Sequence, residues 1–203
     1  MESINIVAIH SSNRSHGLTG SMVGALLEGA EKAATALEID LSTEVVALNS
    51  LNIQVCKACG DRGWGPCRAG EPCVIDDDFR PLLEELVKAD ALVFATPVYF
   101  HDLSESMKGF LDRLRRSEWV RIDNPRLVGK HVVGIAAAGG GGGGTPRTIE
   151  VLERYMSYFG VINVAWLGVW KINSEVQLKA AYMTGEHLIK VIAGAKGVNH
   201  PLP

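Results

Sequence analysis

The chain has no unbroken apolar run of about 18 residues and no basic segment followed by an apolar one at its start. Neither a membrane span nor a secretory leader is therefore expected, and the chain reads as cytoplasmic. It also lacks a basic excess: 20 Lys and Arg against 23 Asp and Glu leave a net charge of −3, which excludes an electrostatic grip on nucleic acid. The G-x-x-x-x-G-K-[ST] signature is missing, and with it a nucleoside-triphosphate loop of that kind. No internal repeat is visible. Cysteine is missing everywhere outside the stretch from Cys56 to Cys73, where all four fall. Clustering of this sort in a cytosolic chain points to metal or redox work rather than disulfides. At 203 residues there is room for one sizeable core, so residues 1–203 read as a single domain with a cysteine-rich loop inserted at 49–77.

What is present begins with Ile4-Asn5-Ile6-Val7-Ala8-Ile9, a buried strand, followed by a loop of small polar residues from His10 to Gly20 that feeds a helix. A helix N-terminus carries unpaired N–H groups and the positive end of the dipole, so such a loop is shaped to hold a phosphate. Ser11, Ser12, Ser15 and Thr19 add hydroxyls, Asn13 adds an amide, and Arg14 alone adds a full positive charge. Mostly neutral donors suit a phosphomonoester better than a triphosphate with magnesium. His10 is not assigned a catalytic role.

Further along, apolar residues at helical spacing from Met22 to Leu37 give an amphipathic helix, and Ser42 to Leu48 a second strand. From Asn49 to Asp77 periodicity disappears among glycines and prolines, a length of loop that is uncommon unless it does something. Asp78 is expected to cap a helix ending near Ala89, and Ala91 to Ala95 is a continuous apolar run typical of a parallel strand covered on both faces. The helix after the loop Thr96 to Asp102 buries Met107, Phe110, Leu111 and Leu114, and turns Lys108, Asp112, Arg113, Arg115 and Arg116 largely to solvent. A fourth strand, Lys130 to Ala137, runs into six glycines, Gly139 to Gly144, with Thr145 as cap and Pro146 opening the next helix. Val161 to Val169 is a fifth strand, and Ser174 with Gln177 forms a capping box for a last helix. Strands alternating with helices give an α/β open parallel sheet in one of two doubly wound orders. Ligands of such sheets sit beyond the strand carboxyl ends, where the loops at 10–20, 96–101 and 138–145 should converge. The glycine run permits close approach of a flat ligand, because no Cβ keeps it away.

Thr96-Pro97-Val98-Tyr99-Phe100, followed by Met107-Lys108-Gly109-Phe110-Leu111-Asp112-Arg113, resembles the core motif of the NADPH-dependent FMN reductases. The resemblance covers about Ile4 to Val169. It implies a flavodoxin-like, doubly wound, five-stranded parallel sheet with helices on both faces. It further implies that Ser11, Ser12, Asn13, Leu18 and Thr19 meet the FMN phosphate, that Pro97, Val98, Tyr99 and Phe100 meet the ring system, and that Gly139, Gly140, Gly141 and Gly142 meet its far side. The first loop departs from the family's usual Gly-Ser-Pro-Arg opening, having His10-Ser11-Ser12-Asn13 instead.

The cysteine loop is similar to that of the iron–sulfur flavoproteins within this group. Its order is Cys56-x2-Cys59-x7-Cys67-x5-Cys73, followed by Asp76-Asp77-Asp78. The insert from Asp61 to Pro66 breaks the compact spacing, but a Gly/Pro-rich insert can fold back. Three readings of the cysteines stand side by side: an iron–sulfur cluster, a tetrahedral zinc, or free thiols lining a flavin pocket or subunit interface. Trp64 stacks on a ligand or a neighbour, or packs in the core. The expected activity is an FMN oxidoreductase that takes a hydride from NADH or NADPH and passes electrons to a quinone, flavin or protein acceptor. The alternatives are a non-enzymatic electron carrier and a nucleotide-binding regulatory domain with structural zinc. FMN is expected rather than FAD, since no acidic residue is placed for an adenosine ribose. The resemblance implies a homodimer or homotetramer. Met107, Phe110, Leu114 and Trp119 are candidates to carry apolar surface toward a partner subunit, and packing in the chain's own core explains the first three equally well.

Overall fold

The computed structural model describes residues 3–14, 16–118, 120–121 and 123–197; Ser15 and Trp119 lie outside them. Five parallel strands stand in the order β2-β1-β3-β4-β5, the doubly wound order implied by the resemblance. They are β1 (Ser3–His10), β2 (Asp40–Ala47), β3 (Ala91–Pro97), β4 (His131–Ala138) and β5 (Ile162–Trp170). The helices are α1 (Leu18–Ala36), α2 (Phe79–Lys88), α3 (Glu105–Glu118), α4 (Thr145–Ser157) and α5 (Ser174–Ala195). Among the described residues no helix is long and apolar enough to cross a membrane.

Pleating divides the strand side chains between two cores. Ile4, Ile6 and Ala8 of β1 pack with Val93 and Ile135 under α1 and α5, while Val7 and Ile9 pack with Leu92 and Phe94 under α2, α3 and α4. α1 and α5 touch backbone to backbone: a Cβ on Gly185 would lie 1.8 Å from Leu26 O, so only glycine fits that crossing.

Three helix starts differ from expectation. Asp78 makes no cap bond to its own helix; its carboxylate accepts from Asn52 N–H at 2.7 Å, and Asp77 takes the Phe79 N–H at 3.2 Å instead. Thr145 is the first residue of α4, with Gly144 in the cap position; Thr145 is buried against Gly168 and its Oγ1 has no hydrogen-bond partner. Ser174 bonds back to Lys171 O at 3.0 Å, and no side chain caps α5. Met107, Phe110 and Leu114 are wholly buried on α3, so they belong to the core and cannot reach a partner subunit.

Candidate functional site

The chain reverses its direction of winding between β1 and β3, and ligands of open α/β sheets bind in the crevice beyond that point. Register pairs His10 with Ala95 and Pro97 with Ala137, so the carboxyl ends of β1, β3 and β4 lie side by side. The three loops that follow them therefore share one edge.

Buried hydroxyls join the first two loops. Ser104 donates to Ser11 Oγ at 2.7 Å, Ser11 donates to Thr96 Oγ1 at 3.2 Å, and Thr96 Oγ1 accepts the Ser104 N–H at 3.1 Å. Ser11 thus spends its hydroxyl beneath the loop. Ser12 Oγ accepts the Arg14 N–H at 3.2 Å, tightening the turn. Asn13 is exposed, and its Oδ1 accepts from Asn49 Nδ2 at 2.6 Å; Asn49 also donates to Ser11 O at 2.9 Å, so the turn Leu48–Ser50 after β2 clamps the loop from outside. Leu18 and Thr19 open α1, and Thr19 is buried. Gly17 at the cap has no side chain to offer, so the first-turn N–H groups of Leu18, Thr19 and Gly20 are the donors that a helix leaves without an intrahelical partner. An anion here would be held chiefly by backbone. His10, the last residue of β1, has its imidazole pKa lowered by burial, and its Nδ1 is buried without a hydrogen-bond partner.

On the opposite wall, Val98 N–H bonds Ala137 O at 2.9 Å and ties this loop to β4. Tyr99 and Asp102 exchange two backbone bonds of 3.0 Å around Phe100 and His101, which stand at φ 51° and 69°. Two consecutive left-handed residues make a type I′ turn, which Gly or Asn would occupy with less strain. Its effect is to hold Phe100 wholly in solvent, 101% exposed, beside a half-turned Tyr99. Pro97 and Val98 are half-buried.

The glycine run divides into two kinds. A Cβ on Gly139, Gly140 or Gly141 would meet nothing within 4 Å, so these present a bare, open face. Gly142 stands at φ 79° with Trp170 Cδ2 at 2.4 Å from its would-be Cβ, and Gly144 abuts His101 Cα at 2.7 Å. Those two are glycine for the fold itself, and Gly144 locks the glycine loop onto the Phe100 turn.

Cys56, Cys59, Cys67 and Cys73 line one cavity together with Lys57, Arg113 and Arg116. All four are free thiols, half-buried. Among the described residues no group of three or more His, Cys, Asp or Glu side chains is close enough to hold one metal ion. α3 anchors this segment. Arg113, 2% exposed, pairs with Asp77 at 2.6 Å, donates to Gln54 O at 3.0 Å and to Cys73 Sγ at 3.4 Å, and lies 4.1 Å over the Phe79 ring. Arg116 donates to Gly63 O at 2.7 Å and stacks at 4.5 Å on Trp64, which is therefore occupied within the chain.

Sequence reasoning missed Asn49, Ser104 and Arg113. For Arg113 a signal existed: it falls three residues after Phe110, on the border of the apolar stripe, where a solvated charge is out of place. Asn49 and Ser104 gave no local signal, because their partners are distant in sequence.

Comparison with known proteins agrees with this fold. The profile of the NADPH-dependent FMN reductase family matches residues 4–170. An iron-sulfur flavoprotein of Methanosarcina thermophila is 30% identical over 161 residues, 79% of this chain and 77% of that protein. Among solved structures, an NAD(P)H:quinone oxidoreductase from Methanothermobacter marburgensis superposes with a TM-score of 0.67 at 20% identity, covering 92% of this chain and 97% of the other. The flavodoxin-like WrbA-like protein from Agrobacterium tumefaciens gives 0.59 at 19% identity, covering 94% and 98%. The matched span takes in all five strands and every loop of the candidate site, and the chain belongs to the NADPH-dependent FMN reductase family, a family of FMN oxidoreductases with the flavodoxin-like fold.

Proposed function

We propose that the protein binds FMN at the β1/β3 crevice and takes a hydride from NADH or NADPH, passing the electrons to a quinone, flavin or protein acceptor. The observation that carries this reading is the pairing of a partnerless first turn on α1 with the bare face of Gly139, Gly140 and Gly141 across the same strand ends. The first matches a single terminal phosphate, and the second admits a flat ring at backbone distance. When bound, the ring supplies the redox chemistry. The chain's residues bind and orient it: α1 holds the phosphate end, Asn49 fixes the loop from outside, and the Pro97–Phe100 turn walls the opposite side. Cofactor released by heat and run on a column is expected to be FMN. FAD, or no flavin after reconstitution, refutes the site. Stopped-flow mixing with each nicotinamide nucleotide should bleach the oxidised flavin band. A flavin reduced by ferredoxin and by neither nucleotide would assign the chain to the electron carriers.

We further propose that the four cysteines hold an iron–sulfur cluster. One tetrahedral zinc needs its sulfurs about 2.3 Å from a single centre, whereas each cysteine of a cluster takes its own iron and the sulfurs stand apart. Four cysteines lining one cavity supply the all-thiolate donor set that a cluster takes. Similarity to an iron-sulfur flavoprotein supports it too. Replacing any one of Cys56, Cys59, Cys67 or Cys73 by Ser should remove iron and sulfide together and leave FMN in place. Anaerobic protein with stoichiometric flavin and neither iron nor sulfide would mean free thiols. A homodimer or homotetramer belongs to the same proposal, with the exposed Phe100 at the rim as a contact that a neighbouring subunit would cover; sedimentation at one-subunit mass refutes it.

A further inference from the structure

Arg113 is the buried cation of the cysteine cavity, and its hydrogen bonds are uneven. One terminal nitrogen serves Asp77 and Gln54 O, the other reaches Cys73 Sγ at 3.4 Å, and Nε is buried with no partner. Leaving a guanidinium N–H unpaired in the interior is unfavourable. The neighbouring cations are placed differently. Arg116 is committed to Gly63 O and Trp64, and Lys57 is exposed. Among the described residues the buried side chain of Asp77 is the carboxylate that meets Arg113, and it sits on the guanidinium, away from the sulfur bond.

We propose that Arg113 sets the reduction potential of the group held by the four cysteines, by donating an N–H to Cys73 and placing a buried positive charge at the cavity wall. This rests on the cluster reading above. One-electron reduction adds one negative charge inside the cysteine set and no proton; the electron comes from the reduced flavin in the working protein and from dithionite in a titration. A cation and an N–H donor at a ligand sulfur stabilise the more negative state, because hydrogen bonds to the sulfurs and the charge around a cluster set its potential. Asp77 opposes this by partly cancelling the guanidinium. The two partners therefore pull the potential in opposite directions.

The test uses protein loaded anaerobically with iron and sulfide, titrated with dithionite through mediators and followed by electron paramagnetic resonance. Asp77→Asn should raise the midpoint. The double variant Asp77→Asn, Arg113→Gln, which replaces the ion pair with two neutral amides, should lower it. The expected size is about tenfold in the reduced-to-oxidised ratio at a fixed potential, or about 59 mV for a one-electron couple. Arg113→Lys keeps the charge without the fork and should fall between wild type and the double variant. Wild-type protein that takes up flavin but no iron and sulfide removes the cluster reading and this role with it. Loaded variants with an unmoved midpoint, or shifts of the same sign in both, overturn the role and leave the cluster standing. Loss of the cluster from every variant with FMN retained would confine Arg113 to assembling the pocket and overturn the electronic role.

Discussion

The two kinds of glycine in the run 139–144 predict opposite outcomes for the same substitution two residues apart. Gly140→Ala adds a methyl group where nothing lies within 4 Å, at a backbone angle outside the left-handed region. In the apoprotein this should be neutral or stabilising by about 0.4–1 kcal/mol, since alanine restricts the unfolded chain. In the holoprotein the methyl occupies the face assigned to the ring. Overpacking of this kind costs about 1–3 kcal/mol, and roughly 1.4 kcal/mol already weakens FMN tenfold. Gly142→Ala meets both a φ of 79° and Trp170 Cδ2 at 2.4 Å. The left-handed conformation costs about 1–2 kcal/mol and the clash about 1–3 kcal/mol, together roughly 2–5 kcal/mol. At about 2–4 °C per kcal/mol for a chain of this size, Tm should fall on the order of 10 °C. Calorimetry of the apoproteins reads the first quantity, and quenching of FMN fluorescence on titration reads the second. Gly140→Ala protein that binds FMN as tightly as wild type, with unchanged Tm, would place the ring elsewhere. A Gly142→Ala protein with wild-type Tm would refute the packing argument on Trp170.

Asp77→Ala strands a buried guanidinium, and loss of one partner from such a pair costs about 3–5 kcal/mol, readable in urea unfolding. Burial pushes the Asp77 carboxyl up, but bonds from Arg113, Gln54 N–H and Phe79 N–H outweigh it and leave its pKa below the usual value. Its stabilisation is therefore complete above the unfolded pKa of about 3.9 and lost as pH falls through the folded value, so Asp77→Asn should flatten the acid limb of a stability profile. An acid limb as steep as wild type's refutes this. Burial lowers the pKa of both His10 and His131. Below about pH 6.5 the unfolded chain takes up these protons first, so stability should fall as pH drops from 7.5 toward 5.5, and the slope should shrink in a His10→Gln, His131→Gln double variant. An unaltered slope contradicts the assignment.

The strands and most helices were legible because parallel strands buried on both faces read as apolar runs, and Ala91–Ala95 is such a run with every residue buried. The order of strands was not: periodicity left two arrangements, and the family resemblance, not hydropathy, chose between them. Helix ends misled because several adjacent residues could cap. Of Asp76, Asp77 and Asp78, the sequence favours the last, yet the chain uses Asp77, since Asp78 is drawn to Asn52 N–H. Arg113 escaped for a related reason. Its helical face was judged by the charges around it, whereas its burial depends on Asp77, Gln54 and Cys73, which lie 36 to 59 positions earlier and leave no periodic trace. The cysteines could be grouped by spacing, but that all four line one cavity depends on how the Gly/Pro insert folds onto α3.

α3 works as a ruler between the two sites. Its first residue, Glu105, follows Ser104, which is bonded to Thr96 beneath the Phe100 turn, and Arg113 stands at the cysteine cavity. Eight residues at about 1.5 Å each set these ends roughly 12 Å apart along the axis. The cysteine segment can lengthen or shorten without changing that interval, because α3 and not the loop defines it. Phase is less forgiving than length. One residue inserted between Glu105 and Arg113 would add only about 1.5 Å but turn the guanidinium through about 100°, away from Asp77 and Cys73, and the cysteine segment would lose its anchor while the Ser104 end kept its bonds.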